Sequence, residues 1–281
     1  MNTVAIFGVG LIGGSFGLAL RSAGFTGEIL GVSSPATVSK AIEVRAIDRG
    51  AGVEEACARA DLLYLSQPIG RIMDTLRHLR PKPEALVTDA GSTKNQIVQT
   101  AHEHLRAGQF LGGHPMAGKE TRGVESADAK LFEGRPYVLT PANPAEMETP
   151  AARGFVSWIE RMGSKTLIIG AEEHDYLVAY SSHLPQLVST ALAAMIAESA
   201  PEAEAVAGPG LVDATRLALS SYDLWRDILA TNADAVEEAL NAVIGKLEHL
   251  RDNLRTREME QEFRAAAGMA NSLRRKRTAT E

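Results

Sequence analysis

His114 stands in Gly112-Gly113-His114-Pro115-Met116-Ala117-Gly118, a histidine set among small residues. A side chain that must meet a small molecule needs open space around it, and glycine and alanine leave that space. An imidazole titrates near neutrality, so a histidine beside a bound substrate can take a proton as a general base. The same ring can also hold a loop by hydrogen bonds, and the local sequence leaves both readings open. Far upstream, Gly8-Val9-Gly10-Leu11-Ile12-Gly13 has the G-x-G-x-x-G spacing. Gly8 suits a tight turn, Gly10 lets backbone approach a pyrophosphate, and Gly13 lets a helix pack close to a strand.

The flanking elements support a dinucleotide site. Val4-Ala5-Ile6-Phe7 reads as a buried parallel strand before the glycines, and a helix from Ser15 to Ala23 follows them. Such a helix start supplies N–H groups and positive dipole to phosphates. The second strand, Glu28 to Val32, leads into Ser33-Ser34-Pro35, where an acidic residue would select NAD. Ser33 does not repel a 2′-phosphate, and the nearest downstream cations are Lys40 and Arg45, so NAD or NADP remains open. Further strands are expected at 61–66, 85–89, 109–112, 137–140 and 166–169, with a helix that closes over 42–46 and helices at 71–79, 95–105 and 151–162. Ser92 lies just past the strand ending at Asp89, at the carboxyl edge where open sheets bind ligands. It also suits a helix N-cap, and the two roles are compatible. His114 follows the strand at 109–112.

After Gly170 the pattern becomes helical, with segments at 174–182, 184–199, 211–220, 224–229 and 232–254. Val236, Leu240, Val243, Leu247, Leu250 and Leu254 form a long apolar stripe that must pack on another helix, of the same chain or of a second subunit. Three residues stand out here. His183 lies in Ser182-His183-Leu184-Pro185. Asp213 and Arg216 are three apart on one expected helix face, where they pair or where the arginine clamps a substrate carboxylate. The expected fold is therefore α/β followed by all-α. A Rossmann-type doubly wound sheet spans 1–170, and a helical substrate and dimerisation domain spans 171–281.

Composition narrows the partners. A net charge of -6 argues against nucleic acid or an anionic membrane as the main partner. The single cysteine, Cys57, cannot form an internal disulfide or a multi-cysteine zinc site and reads as a small packed residue, and no metal is expected. No secretory signal and no apolar run near 18 residues is visible, so a cytoplasmic location is expected. The basic run Arg274-Arg275-Lys276-Arg277 reads as a solvated, unstructured end.

Taken together, six blocks resemble the prephenate/arogenate dehydrogenases of tyrosine biosynthesis, in that family's order over almost the whole chain. They are Gly8–Ser15, Asp89-Ala90-Gly91-Ser92-Thr93-Lys94, Gly113–Gly118, Glu173-His174-Asp175, Ser182–Pro185, and Asp213-Ala214-Thr215-Arg216 with Trp225 beyond. The resemblance implies a Rossmann domain, then a helical domain that forms a homodimer, and oxidative decarboxylation of prephenate, or of arogenate, by a nicotinamide cofactor. It casts His114 as the base that takes the ring hydroxyl proton and Ser92 as a residue that orients it. Arg216 becomes the carboxylate clamp, with His183 in the substrate pocket. Some members carry a cation just before the Asp-x-x-Arg block. Here Leu211-Val212 precede Asp213, and Lys119 is a candidate for the missing charge. No mutase or regulatory domain is expected, because the helical pattern runs to the end. A β-hydroxyacid dehydrogenase would need a lysine base on a helix of the second segment. The only lysine there before the basic tail, Lys246, lies on the stripe helix and fits poorly. A non-catalytic NAD(P)-binding protein would not need both a base and a clamp.

Overall fold

The apolar runs of the first half build one mixed sheet, seen in a computed structural model that describes residues 1–278. Strand β1 (Thr3–Phe7) passes through Gly8 into helix α1 (Leu11–Ser22). Strand β2 (Glu28–Val32) is followed by α2 (Pro35–Glu43), the two-residue β3 (Arg49–Gly50) and α3 (Val53–Arg59). Then come β4 (Leu62–Leu65), α4 (Ile69–His78), β5 (Leu86–Asp89), α5 (Asn95–His104) and β6 (Phe110–Pro115). Strand β7 (Pro136–Thr140), α6 (Pro150–Arg161) and β8 (Lys165–Ile168) complete the sheet, in the order β3-β2-β1-β4-β5-β6-β7-β8. The first six strands are parallel. Strand β7 runs antiparallel to β6, and β8 parallel to β7. The order of the first six is that of dinucleotide-binding sheets, with the reversal between β1 and β4.

Alternation along the strands makes both faces apolar. Val4 and Ile6 join Phe16, Leu20, Tyr64 and Phe155 on one side of the sheet. Ala5 and Phe7 join Leu63, Leu65, Ile72, Val87 and Ile97 on the other. Strands covered by helices on both faces have no polar register, which is why their sequences read as unbroken apolar runs.

Several boundaries depart from the sequence expectation. Helix α1 starts at Leu11 rather than Ser15, so Gly13 lies inside its first turn. Helix α2 closes at Glu43, within the expected 42–46, and it starts at Pro35, because Ser34 caps it by accepting the Thr37 N–H and proline suits the first turn. Strand β6 does not stop at Gly112. Strand β7 extends it, pairing Gly112 with Thr140, Gly113 with Leu139, His114 with Val138 and Pro115 with Tyr137. Glycine and proline are weak strand formers, and the partner strand overrides that local preference.

The second half comprises α7 (Ala171–Val178), one π-helical turn (Ala179–His183), α8 (Leu184–Ser199), α9 (Pro209–Thr215), α10 (Tyr222–Thr231), α11 (Ala233–Asp252) and α12 (Glu258–Thr278). Its own buried apolar cluster is small: Ala179, Val236 and Ala239. Of the expected stripe, Val236 is buried and Leu247 is open on α11, and Leu254 is open beyond the end of that helix at Asp252. On α12, Phe263, Met269 and Leu273 are exposed as well. The basic run at 274–277, expected to be an unstructured end, is helical backbone through Thr278. Among the described residues no helix is long and apolar enough to cross a membrane.

The helices dock back onto the sheet edge. Ile228 of α10 enters the same apolar cluster as Ile69 and Ile72 of α4, and Asp227 accepts the Gly70 N–H at 3.1 Å. Asp175 of α7 accepts the N–H groups of Lys94 and Asn95 at 2.6 and 2.9 Å, closing the N-terminus of α5. The cleft of interest lies between these two contacts.

Candidate active site

The nucleotide end of the cleft is built by the glycine turn. Gly8 has φ +85°, a conformation that suits glycine, and its N–H bonds to the Val32 carbonyl at 3.0 Å. Ser66, at the end of β4, donates to the Gly8 carbonyl at 2.9 Å and ties the two central strands together. A Cβ on Gly13 would come within 2.4 Å of the Gly8 carbonyl oxygen, so only glycine lets α1 sit this close. A Cβ on Gly10 would meet nothing within 4 Å, because that side opens on the cleft. Gly10 also caps α1 without any side-chain bond, which leaves the N–H groups of Leu11 and Ile12 facing a space suited to a phosphate. Gly10, Leu11 and Ile12 line a cleft of about 960 Å³ together with Ser92, Gln186 and Trp225. These residues fit a dinucleotide. At the ribose-reading position Ser33 is exposed and uncharged, and Lys40 downstream is held by Glu125.

Beneath the cleft lies a buried framework. Asp89, at the end of β5, and Lys94 are ion-paired, and both side chains are wholly buried. Asp89 accepts the N–H groups of Gly91 at 2.8 Å and Gly113 at 3.1 Å. Lys94 donates to the Gly113 carbonyl at 2.8 Å. Both backbone polar groups of the residue before His114 are thus held by one ion pair. Burial pulls the Lys94 ammonium down from its ordinary range, and Asp89 opposes that shift.

His114 is partly exposed, and its Nδ1 lies 2.9 Å from Nε2 of His174. His174 is 1% exposed, and its Nδ1 lies 2.7 Å from Asp175 Oδ1. Burial, then the neighbouring His174, Lys94 and His183, holds the His114 ring well below the usual histidine range, so it is neutral at physiological pH. Ser92 lines the cleft but makes no hydrogen bond to His114 among the described residues, and the ring partner is His174.

From the helical side, His183 is buried with its ring edge-on to Trp225 at 5.8 Å between centroids, one layer behind the cleft wall. Burial pushes its ring down to about 4. Its Nδ1 lies 3.2 Å from the Asn232 amide nitrogen, which also donates to the Asp175 carbonyl at 2.8 Å. Arg216 lines the cleft and meets Glu120 at 3.2 Å. The expected Asp213–Arg216 pair does not form. Helix α9 ends at Thr215, whose backbone (φ -98°, ψ 0°) leaves the α-helical path, and Arg216 pairs with Glu120 instead. Asp213 is exposed and is not part of the cleft lining. Lys119 lies at the cleft mouth, paired with Asp128 at 2.9 Å. The sequence reading assigned no role to His174, Asp175, Lys94, Asp89, Asn232 or Glu120. The blocks Asp89–Lys94 and Glu173-His174-Asp175 were the available signal for the first four.

Comparison with known proteins bears on this geometry. Residues 16–165 match the family model described as prephenate dehydrogenase, nucleotide-binding domain, and residues 170–268 match prephenate dehydrogenase, dimerization domain. The prephenate dehydrogenase of Bacillus subtilis (strain 168) is 31% identical over 276 residues, covering 94% of this chain and 73% of that protein. The cyclohexadienyl dehydrogenase of Zymomonas mobilis is 29% identical, covering 88% and 87%. Among solved structures, prephenate dehydrogenase from A. aeolicus in complex with hydroxyphenyl propionate and NAD+ superposes with a TM-score of 0.86 at 33% identity, covering 100% of this chain and 99% of that one. The Synechocystis arogenate dehydrogenase superposes with a TM-score of 0.82 at 30% identity, covering 96% and 99%.

Proposed function

The chain belongs to the prephenate dehydrogenase family, and from that membership we propose how its residues carry out the NAD(P)-dependent oxidative decarboxylation of prephenate. The observation that carries the reading is a cleft with a glycine-turn phosphate site at one end and Arg216 at the other, with the partly exposed His114 near the end of β6, three residues before the cleft-lining Ala117. The sheet half and the helical half of the chain join at Gly170, between β8 and α7, which we take as the boundary between a dinucleotide-binding domain and a substrate domain.

When bound, the nicotinamide accepts hydride from the ring carbon that carries the hydroxyl. His114 takes the hydroxyl proton as that hydride leaves. The oxygen becomes strongly acidic at that moment, so a base of low pKa suffices. Loss of carbon dioxide returns an electron pair to the ring, which becomes aromatic, and His114 gives the proton back to the phenolic oxygen. Arg216, planar and facing the cleft, binds a substrate carboxylate. Ser92, which lines the cleft one residue past Gly91, is assigned to contact substrate or nicotinamide, and His183 backs the pocket from behind Trp225. Lys119 belongs to the mouth rather than the reacting centre.

We assign NAD over NADP. Ser33 offers no cation to a 2′-phosphate, and Lys40 is already engaged by Glu125. The active form is a homodimer in this reading, since the exposed apolar side chains of α11 and α12 need cover. A two-by-two assay tests the activity, pairing prephenate or arogenate with NAD or NADP and following reduced cofactor. The prephenate and NAD pair gives the highest kcat/KM. His114→Ala lowers kcat by about 100- to 10,000-fold, the range for a general base. Unchanged turnover in that variant overturns the assignment.

A further inference from the structure

The hydrogen bonds around His114 define which of its nitrogens carries a proton. Asp175 is nearly buried, and each of its oxygens accepts from a backbone N–H, from Lys94 at 2.6 Å and Asn95 at 2.9 Å. Backbone amides only donate, so toward His174 the carboxylate also acts as an acceptor, and His174 Nδ1 must carry the hydrogen in their 2.7 Å contact. In a neutral imidazole the other nitrogen is then a lone pair. With His174 in this neutral form its Nε2 accepts, and the hydrogen in its 2.9 Å contact with His114 sits on His114 Nδ1. His114 Nε2 is left unprotonated, on the part of the ring that His174 does not cover.

We propose that Asp175 and His174 form a relay of positioning residues that locks His114 in the tautomer whose Nε2 accepts the substrate proton. The proposal rests on His114 being the base. The relay is anchored outside the helical part, because Asp175 is held by the first backbone N–H groups of α5, the helix that follows the Asp89–Lys94 turn. An anion at a helix N-terminus is favourable, so the anchor is stable in its own right. The ring of His114 is thereby fixed from the helical side while its backbone is fixed from the sheet side.

The same logic gives His183 the opposite form. The Asp175 carbonyl can only accept, so the amide that faces it at 2.8 Å must present its nitrogen. The second hydrogen of that Asn232 amide points at His183 Nδ1, 3.2 Å away, which is therefore the lone pair. A neutral His183 then bears its hydrogen on Nε2. One carboxylate residue thus sets an acceptor in His114 through its side chain and a donor in His183 through its main chain. A substrate oxygen that gives up a proton needs the first, and a polar substituent that must be held needs the second.

The test is nitrogen-15 NMR of the histidine rings in the full-length protein at neutral pH, which separates protonated from unprotonated ring nitrogens. Expected is a protonated Nδ1 and an unprotonated Nε2 in His114, and the reverse in His183. His114 signals are identified by their loss in His114→Ala. A His114 with Nε2 protonated, or a His174 with both nitrogens protonated, overturns the relay. His174→Phe keeps a ring and removes both hydrogen bonds. It lowers kcat about 10- to 100-fold, as loss of an orienting partner does, with KM within about threefold. His174→Gln, whose amide carries one donor and one acceptor, recovers about tenfold of that loss. Equal kcat in folded His174→Phe and wild type, or no recovery in the glutamine variant, also overturns it. If the phenylalanine variant does not fold, the wild-type spectrum decides alone. Full turnover in His114→Ala would remove the base itself while leaving the tautomer measurement valid, so the two failures are distinct.

Discussion

Replacing Lys94 with methionine probes the framework that holds the base. Methionine keeps the length and apolar stem of lysine and deletes only the ammonium. The change removes the ion pair with Asp89 and the 2.8 Å bond to the Gly113 carbonyl, in surroundings where both side chains have no exposure. Breaking one half of a buried pair costs about 3–5 kcal/mol, because the remaining charge is left without compensation. Here Asp89 keeps two backbone donors, Gly91 and Gly113, which places the loss near the lower end, about 3 kcal/mol. For a chain of this size each kcal/mol moves Tm by about 2–4 °C, so a drop of roughly 6–12 °C is expected. The assay is urea unfolding followed by tryptophan fluorescence, since Trp158 lies in the sheet half and Trp225 in the helical half. Equal slopes for the two proteins are required for the comparison. Adding Asp89→Asn to the methionine variant removes the stranded charge and restores about 1–2 kcal/mol. Asp89→Asn alone destabilises, because it strands the lysine. A loss below about 1 kcal/mol in Lys94→Met, or a double variant that loses the sum of the singles, refutes the idea that the pair is a mutually compensating unit.

The two cofactor glycines should respond differently to one methyl group. Gly13→Ala places a Cβ against the Gly8 carbonyl and lowers stability by about 1–3 kcal/mol, read in the same unfolding assay. Gly10→Ala has open space and leaves stability within about 0.5 kcal/mol, yet weakens NAD binding in titration calorimetry, because its methyl projects into the phosphate space. The pH profile follows from the environment of His114. The base works unprotonated, and burial with its neighbours depresses its pKa, so kcat/KM stays level as pH falls through 6.5 and declines only below that value. An acid limb centred at 6.5 or higher refutes it.

The sheet half was legible because its signals are local. Glycines spaced for a turn and apolar runs of strand length specify β1, α1, β2 and β4 almost alone. Strand β6 was cut short at Gly112 because its last residues become strand only through β7, a pairing between segments more than twenty residues apart. The base itself was found from its small neighbours. The residues that orient it were not, since Asp175 reads as an ordinary helix acid and its partners Lys94 and Asn95 lie 81 and 80 positions away. Asp213 was misread for the opposite reason. A spacing of three implies a shared face only while the helix continues, and here the backbone leaves it at Thr215 (φ -98°, ψ 0°). Helix α12 escaped notice because its sequence is strongly polar, so no apolar periodicity announced it.

The wide turn at Ala179–His183 has a genetic consequence. A π turn holds one residue more than the α-helical turn it replaces, so α7 and α8 are a single rod whose two halves are offset by one residue. Losing one codon within Ala179–Ser182 would let the rod close into a regular helix without unfolding it. Either turn closes about 360°, so α8 would keep its rotation relative to α7 and only the residue numbering would shift. Gln186, whose amide holds the Leu217 carbonyl at 2.8 Å, and Ser189, which accepts the Ala218 N–H at 3.2 Å, would stay on the Arg216 turn. A one-residue deletion in this turn is therefore expected to leave α7 and α8 in place and to act through the turn's own buried residues, Ala179 and His183.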